Sequence, residues 1–477
     1  MKSTIEECKE RYFIKKDIES MLKDAEASPH KLKRSLGALD VTAVGIGSII
    51  GAGIFVLTGV AAATKAGPAI VLSFVIAAIA CAFAALCYAE LSSMIPLSGS
   101  AYTYSYSTMG ELIAWIIGWD LILEYAVGAI AVAVGWSGYI SDLLGAVGIN
   151  LPPALCNTPG INGGVINLPA IFIVLLLTGL LVIGTKQSAK LNLALVILKI
   201  GILLLVIIVG ALYVNTKNWD PFMPFGAIGV VGGAGLVFFA YIGFDAASTM
   251  AEETKNPQRN IPIGIIASLV ICTVLYICAA LVLTGMVPYN LLADMAPFSF
   301  AFGHIGLSWV KSLIAVGAIV SITSVLLVSL MAQPRIFFSL SRDGLLPPGI
   351  SKVHRRFKTP YIATIVTGIT VAICAGVIPI GTAAELTNIG TLFAFVLVCA
   401  GVIMLRKRRP DIKRAFKVPL MPWIPLMGVV MCALLMISLP AITWFGFIAW
   451  IGIGLLIYSN YGMQKSKLWI KYQNKSK

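Results

Sequence analysis

The sequence predicts an all-α polytopic membrane protein with twelve transmembrane helices, arranged as an inverted five-plus-five helix repeat with broken helices 1 and 6. Three observations predict it. The 477-residue chain is 58% hydrophobic and only 12% charged, which leaves too little charge to cover a soluble exterior. Its apolar residues gather in runs of about 20, the length of a membrane helix, and not in the ~10-residue alternating segments of a barrel. Two of these runs, five helices apart, are interrupted by glycine.

Residues 1–38 form a polar N-terminal tail, expected in the cytoplasm, with an amphipathic surface helix over Glu6–Lys23. They are too charged for a secretory signal. Apolar spans then fall at about 39–64, 68–94, 109–144, 167–184, 191–213, 229–250, 262–286, 308–341, 361–379, 384–405, 419–438 and 443–461. The third and eighth exceed a perpendicular crossing, so they should tilt or extend beyond the bilayer. The organisation is a ten-helix core over 39–410, helices 11 and 12 over 411–461, and a cytoplasmic C-terminal tail over 462–477. Placing both termini inside puts 31 of the 35 Lys and Arg on the cytoplasmic side. The net charge of +14 is thus a topology signal for a plasma-membrane protein, and nucleic acid is not required as a partner.

The first span contains Gly45-Ile46-Gly47-Ser48-Ile49-Ile50-Gly51-Ala52-Gly53-Ile54-Phe55. Each glycine costs a helix roughly 1 kcal/mol against alanine, and a break in lipid is tolerated where something polar fills it. Gly47 and Gly51 also fit small-residue helix packing. The sixth span decides for the break. It reads Gly-Gly-Ala-Gly-Leu-Val-Phe-Phe-Ala-Tyr-Ile-Gly-Phe-Asp, ending in Gly243 and the carboxylate of Asp245. Five helices per repeat force opposite orientations, so the two breaks should meet.

Most of the nine cysteines lie in apolar runs, and the three histidines are far apart in loops or tails. No disulfide framework, metal site or cofactor is expected. There is no P-loop, and no nucleophile–base pair at membrane depth. A channel would be expected to repeat a short filter, and none recurs. A sensor that binds without transporting stays open, although the tails are too short to hold a signalling domain.

Several motifs together resemble the amino acid–polyamine–organocation superfamily of permeases, in its cationic amino acid transporter branch. They are Gly47-Ser48-Ile49-Ile50-Gly51-Ala52-Gly53-Ile54-Phe55, then Phe239-Ala240-Tyr241-Ile242-Gly243-Phe244-Asp245 with Glu252-Glu253 and Asn256-Pro257 after it. Arg335-Ile336-Phe337 with Ser341-Arg342-Asp343-Gly344 completes the set. The resemblance implies a secondary active amino acid permease working by alternating access. In it, backbone N–H groups of Gly51, Ala52 and Gly53 face the substrate carboxylate at a positive helix end. Carbonyls of Ile49, Phe239, Ala240 and Ile242 would accept from the α-ammonium. Ala52 departs from relatives with threonine there, which removes one hydroxyl contact.

Lys199 lies deep in the fifth span, where an intramembrane charge points to function. In proton-coupled relatives a similar lysine places its ammonium where sodium-coupled members hold a cation, so the proton is the expected coupling ion. Glu124, one turn from Asp120 on the third span, would attract a basic side chain, tune Lys199 or pair with a polar neighbour. Asp245 would cap the inner half of helix 6, and Arg335 would join inner-gate ion pairs with Glu252, Glu253 and Arg259. Glu90 should be a structural pair, and Tyr102, Tyr104 and Tyr106 interface anchors. Ser329 leaves room for a long side chain, which with Glu124 favours arginine, lysine or ornithine. The alternative is a neutral, alanine-type substrate.

Overall fold

The computed structural model describes residues 11–12, 14–16, 35–95, 100–161, 163–183, 189–350, 352, 354, 359–412 and 414–476. The amphipathic helix expected over residues 6–23 lies mostly outside them. The described residues form α1 (Ala38–Ile49), α2 (Ile70–Met94), α3 (Ser100–Thr108), α4 (Glu111–Ala146), α5 (Leu168–Ile183), α6 (Ala189–Ala211) and α7 (Gly226–Val237). There follow α8 (Pro257–Met286), α9 (Ser308–Arg342), α10 (Tyr361–Val377), α11 (Ile380–Arg408), α12 (Trp423–Ile437), α13 (Ala441–Ile457) and α14 (Lys467–Ser476). Among the described residues 8 helical stretches are long and apolar enough to cross a membrane, and four shorter apolar helices of 10–17 residues accompany them. The chain is a multi-pass membrane protein. Each of the twelve expected stretches is helical, but only the eight reach spanning length by themselves. At 36 and 35 residues, α4 and α9 would run roughly 54 Å against a hydrocarbon core of about 30 Å.

Packing between helices repeats itself across the two halves. The partners α1–α8 and α7–α2 correspond, as do α6–α9 and α11–α4, α6–α1 and α11–α7, and α6–α8 and α11–α2. Corresponding helices also touch one another: α2 with α8, α4 with α9, and α5 with α10. The five-helix unit is therefore used twice, with its copies interlocked. The last two spans lie outside this scheme. There, Trp119 and Trp450 stack with centroids 4.7 Å apart and exchange indole–carbonyl hydrogen bonds of 2.9 and 3.0 Å, which fasten α13 to α4.

Both breaks fall on an isoleucine. α1 stops where Ile50 turns extended (φ −75°, ψ 104°), and the chain resumes helical winding from Gly53 in wide turns to Ala66. α7 tightens into a 3-10 turn over Phe238–Tyr241, and Ile242 (φ −59°, ψ 133°) ends it. Gly243 then takes φ +116°, open to glycine at little cost. A single helical turn, Ala246–Thr249, follows.

Charged and aromatic groups at the tail end of the bundle are consumed structurally. The Glu90 carboxylate receives Arg406 Nε at 2.9 Å and Nη2 at 2.5 Å, as well as the Val418 N–H at 2.7 Å. It is the structural pair expected of it. Tyr102, Tyr104 and Tyr106 are 5%, 1% and 1% exposed, so they are not the interface anchors expected. Tyr102 donates to Asp343 and Tyr106 to Glu111, and α3 packs against α4 and α11, so these rings are spent inside the protein.

Candidate functional site

Gly53 and Gly243 let the two breaks touch. A Cβ on Gly53 would lie 2.3 Å from the Ala240 Cα, and one on Gly243 would meet Ser48 backbone and side-chain atoms at 2.9 Å. Each half of the repeat thus presses its break against the other. A side chain at Gly53 would strike protein backbone. One at Gly51 would meet Val325 of α9 at 2.9 Å.

A helix end leaves carbonyls unpaired and carries partial negative charge. Here three side chains from other helices cap α1. Lys199 of α6, 1% exposed, donates Nζ–H to the Gly47 carbonyl at 2.5 Å and to the Ile50 carbonyl at 3.0 Å. Ser321 of α9 donates to the same Ile50 carbonyl at 3.1 Å, and Tyr276 of α8 donates to the Ile49 carbonyl at 3.0 Å. A buried ammonium facing two carbonyls and a helix C-terminus occupies a seat suited to a cation. In the other repeat Asn388 of α11 donates to the Gly235 and Leu236 carbonyls of α7 at 2.7 and 3.1 Å. Corresponding helices therefore brace both broken spans, one with a cation and the other with a neutral amide. The sequence reading missed Ser321, Tyr276 and Asn388. Each is a hydrogen-bonding side chain in an apolar run, where a partner is obligatory, but residue type alone does not say which partner it finds.

Among the described residues no acceptor is recorded for the N–H groups of Gly51, Ala52 and Gly53. They sit at the start of the resumed helix, where such groups point at an anion. The four carbonyls expected to face an ammonium divide. Ile49 already accepts from Tyr276, and Phe239 accepts from the Ile242 N–H at 3.3 Å. Ala240 and Ile242 have no recorded donor among the described residues. Ala52 packs its methyl near Gly135 of α4. Tyr139, one turn further along α4, donates to the Phe55 carbonyl at 2.7 Å and repairs part of the widened segment.

Ser321, Val325 and Ser329 succeed each other by single turns on one face of α9, and the first two touch the α1 break. The Ser329 hydroxyl donates to the Val325 carbonyl at 3.1 Å, so it fills little space. Glu124, 4% exposed, lies in electrostatic reach of Asp245 and Asp120 and beside Thr391. Asp120 is fully buried, and neither carboxylate oxygen has a hydrogen-bond partner among the described residues. Asp245 does not bond the N2 or N3 amide of the turn it opens; its carboxylate instead lies against the backbone N–H groups of Gly243, Asp245 and Ala246 at the break. The turn it opens is only four residues long, and the carboxylate shares its surroundings with Glu124, Tyr88 and Tyr125. Arg335 and Arg259 have no ion pair within 4 Å among the described residues; Glu253 is the acid whose charge reaches Arg335. The side chain of Glu252 lies outside them.

Residues 36–463 match the family described as amino acid permease. A methylthioribose transporter of Bacillus subtilis is 51% identical over 457 residues, covering 96% of this chain and 99% of the relative. The branched-chain amino acid permease BcaP of the same organism is 50% identical over 460 residues, covering 96% and 98%. A vacuolar cationic amino acid transporter of Arabidopsis thaliana is 39% identical over 405 residues, covering 83% and 67%.

Proposed function

The chain belongs to the amino acid permease family, a family of transporters and not enzymes, and from that premise we propose that it is a proton-driven secondary carrier of amino acids with apolar side chains. The observation that carries the reading is the Lys199 ammonium seated on the α1 end carbonyls of Gly47 and Ile50, the latter immediately preceding the Gly51–Gly53 amides in the chain. The amides bind the substrate carboxylate and the Ala240 and Ile242 carbonyls its ammonium, so the backbone recognises what all α-amino acids share. Ile49 and Phe239 keep the acceptor role with their second lone pairs. A charged Lys199 locks α1 to α6; losing the proton weakens the charge–dipole attraction and frees the inner half to move.

Apolar groups favour a neutral substrate. Val325 abuts Gly51, and Phe239 and Ile242 frame the opposite break. Two half-identical relatives carry the names of a branched-chain amino acid permease and a methylthioribose transporter, neither of them a name for a cationic amino acid carrier. A second reading rests on Glu124 and the small Ser329, which together suit arginine, lysine or ornithine. The roles of Asp245 as a break residue and Arg335 as a gate belong to this proposal, as do twelve crossings, cytoplasmic termini and a plasma-membrane location. Uptake of radiolabelled amino acids into liposomes, with and without an inward proton gradient, tests it. Leucine, isoleucine or valine should accumulate, and arginine at millimolar concentration should not compete. Arginine competition that Ser329→Met diminishes would overturn the apolar reading in favour of the second.

A further inference from the structure

A cleft of about 290 Å³ opens beside the end of α11, away from the two breaks. Lys15, Lys16, Ser107, Thr108, Leu405, Arg408 and Arg409 line it. Three separate pieces of chain bring these residues together. Residues 14–16 are strapped to the corner between α3 and α4 by two backbone hydrogen bonds, Lys16 N–H to the Tyr106 carbonyl at 3.2 Å and Glu111 N–H to the Ile14 carbonyl at 3.0 Å. The last residues of α3 supply the hydroxyls, and α11 supplies Leu405 and the arginines. Lys16 is held in place by Asp343 at 2.7 Å and by the Tyr106 ring at 4.4 Å.

Cations outnumber acids here. Lys16 has Asp343 and Arg409 has Asp411 at 3.1 Å, whereas Lys15 and Arg408 have no carboxylate partner among the described residues. Burial and the neighbouring Arg408 guanidinium push the Lys15 ammonium below its usual range, as expected for two like charges sharing a cleft without an anion. The Ser107 and Thr108 hydroxyl hydrogens are turned back to the Tyr104 carbonyl, which leaves anion contact to the four cations. Leu405 is buried just before the basic run Arg406–Arg409, so the cleft sits where an apolar helix leaves the bilayer.

We propose that this cleft binds a phosphate anion, supplied by the headgroup of an anionic phospholipid or by a soluble phosphate, with Lys15 and Arg408 as its principal contacts. Bound there, the anion joins the N-terminal segment to the ends of α3 and α11 and removes the repulsion between two cations. Basic pockets between membrane helices are suited to this chemistry, and an arginine fork matches phosphate oxygens bidentately. The proposal is independent of the transported substrate.

The test uses the full chain in detergent, in two arms. In the first, native mass spectrometry compares retention of phosphatidylglycerol and phosphatidylcholine. In the second, calorimetry measures binding of inorganic phosphate alone. The expected result in the lipid arm is a preference for phosphatidylglycerol of about tenfold or more, lost in K15Q/R408Q and kept in K15R/R408K and in K407Q, whose cation does not line the cleft. Phosphate binding that vanishes in K15Q/R408Q, without any lipid preference, supports the site and assigns it to a soluble phosphate. Thermal unfolding of each variant checks that the chain is folded. The proposal is overturned if the wild type binds neither ligand selectively, or if K15Q/R408Q retains the wild-type preference.

Discussion

Lys199 and Ser321 share one acceptor, the Ile50 carbonyl, yet their removal should have different consequences. Ser321→Ala deletes one neutral hydrogen bond while Lys199 still occupies the carbonyl, a cost of about 1 kcal/mol. A lower melting temperature with proton-driven uptake retained is the expected outcome, measured by intrinsic fluorescence and by transport in parallel. Loss of proton drive in Ser321→Ala would assign the coupling to the hydroxyl. The lysine itself was legible in the sequence because a charge amid apolar residues is conspicuous. Its acceptors were not, since a carbonyl carries no residue-type signal. Ser321 and Tyr276 were equally hidden: serine and tyrosine are common in membrane helices, and only the fold reveals which ones face a broken end.

At the scale of elements, the breaks are set by glycine in two different ways. Gly243 needs its positive φ and its closeness to Ser48, so Gly243→Ala combines backbone strain with a steric clash. It should destabilise the protein by about 2 kcal/mol or more, seen as reduced yield and a lowered melting temperature. Gly53 keeps an ordinary φ but abuts the Ala240 backbone. Gly53→Leu should therefore drive the two broken segments apart and abolish substrate binding, with a loss of thermal stability as well. Retained affinity in a folded Gly53→Leu protein would show that the two breaks do not share a substrate. Gly45-to-Gly53 announced a special segment in the sequence, but not which glycine serves close approach and which serves conformation. That distinction depends on neighbours nearly 200 positions away.

For the whole molecule, the doubled five-helix unit was legible because hydrophobic runs and glycine breaks are local signals. The interlocked packing of corresponding helices, and the bracing of α1 by Lys199 and of α7 by Asn388, emerged only in three dimensions. Substrate class was less accessible still: Glu124 and Ser329 suggested a cationic cargo by type, whereas their surroundings hold further acids and an intrahelical hydrogen bond. If the Asn388 brace holds its half still while the Lys199 brace moves, Asn388→Leu should cost about 1–3 kcal/mol of stability by removing the two side-chain hydrogen bonds to the end of α7, and Asn388→Asp should not create a second proton-coupled step. A changed proton-to-substrate ratio in Asn388→Asp would contradict the division of labour between the halves. The measurement that bears most directly on the central claim compares wild type and Lys199→Ala in proteoliposomes, recording uptake driven by a proton gradient, uptake driven by a sodium gradient, and counterflow of preloaded substrate. Wild type should concentrate substrate under the proton gradient alone, and Lys199→Ala should lose that accumulation while still catalysing counterflow. Accumulation driven by sodium alone, or proton-driven accumulation undiminished in Lys199→Ala, would contradict it.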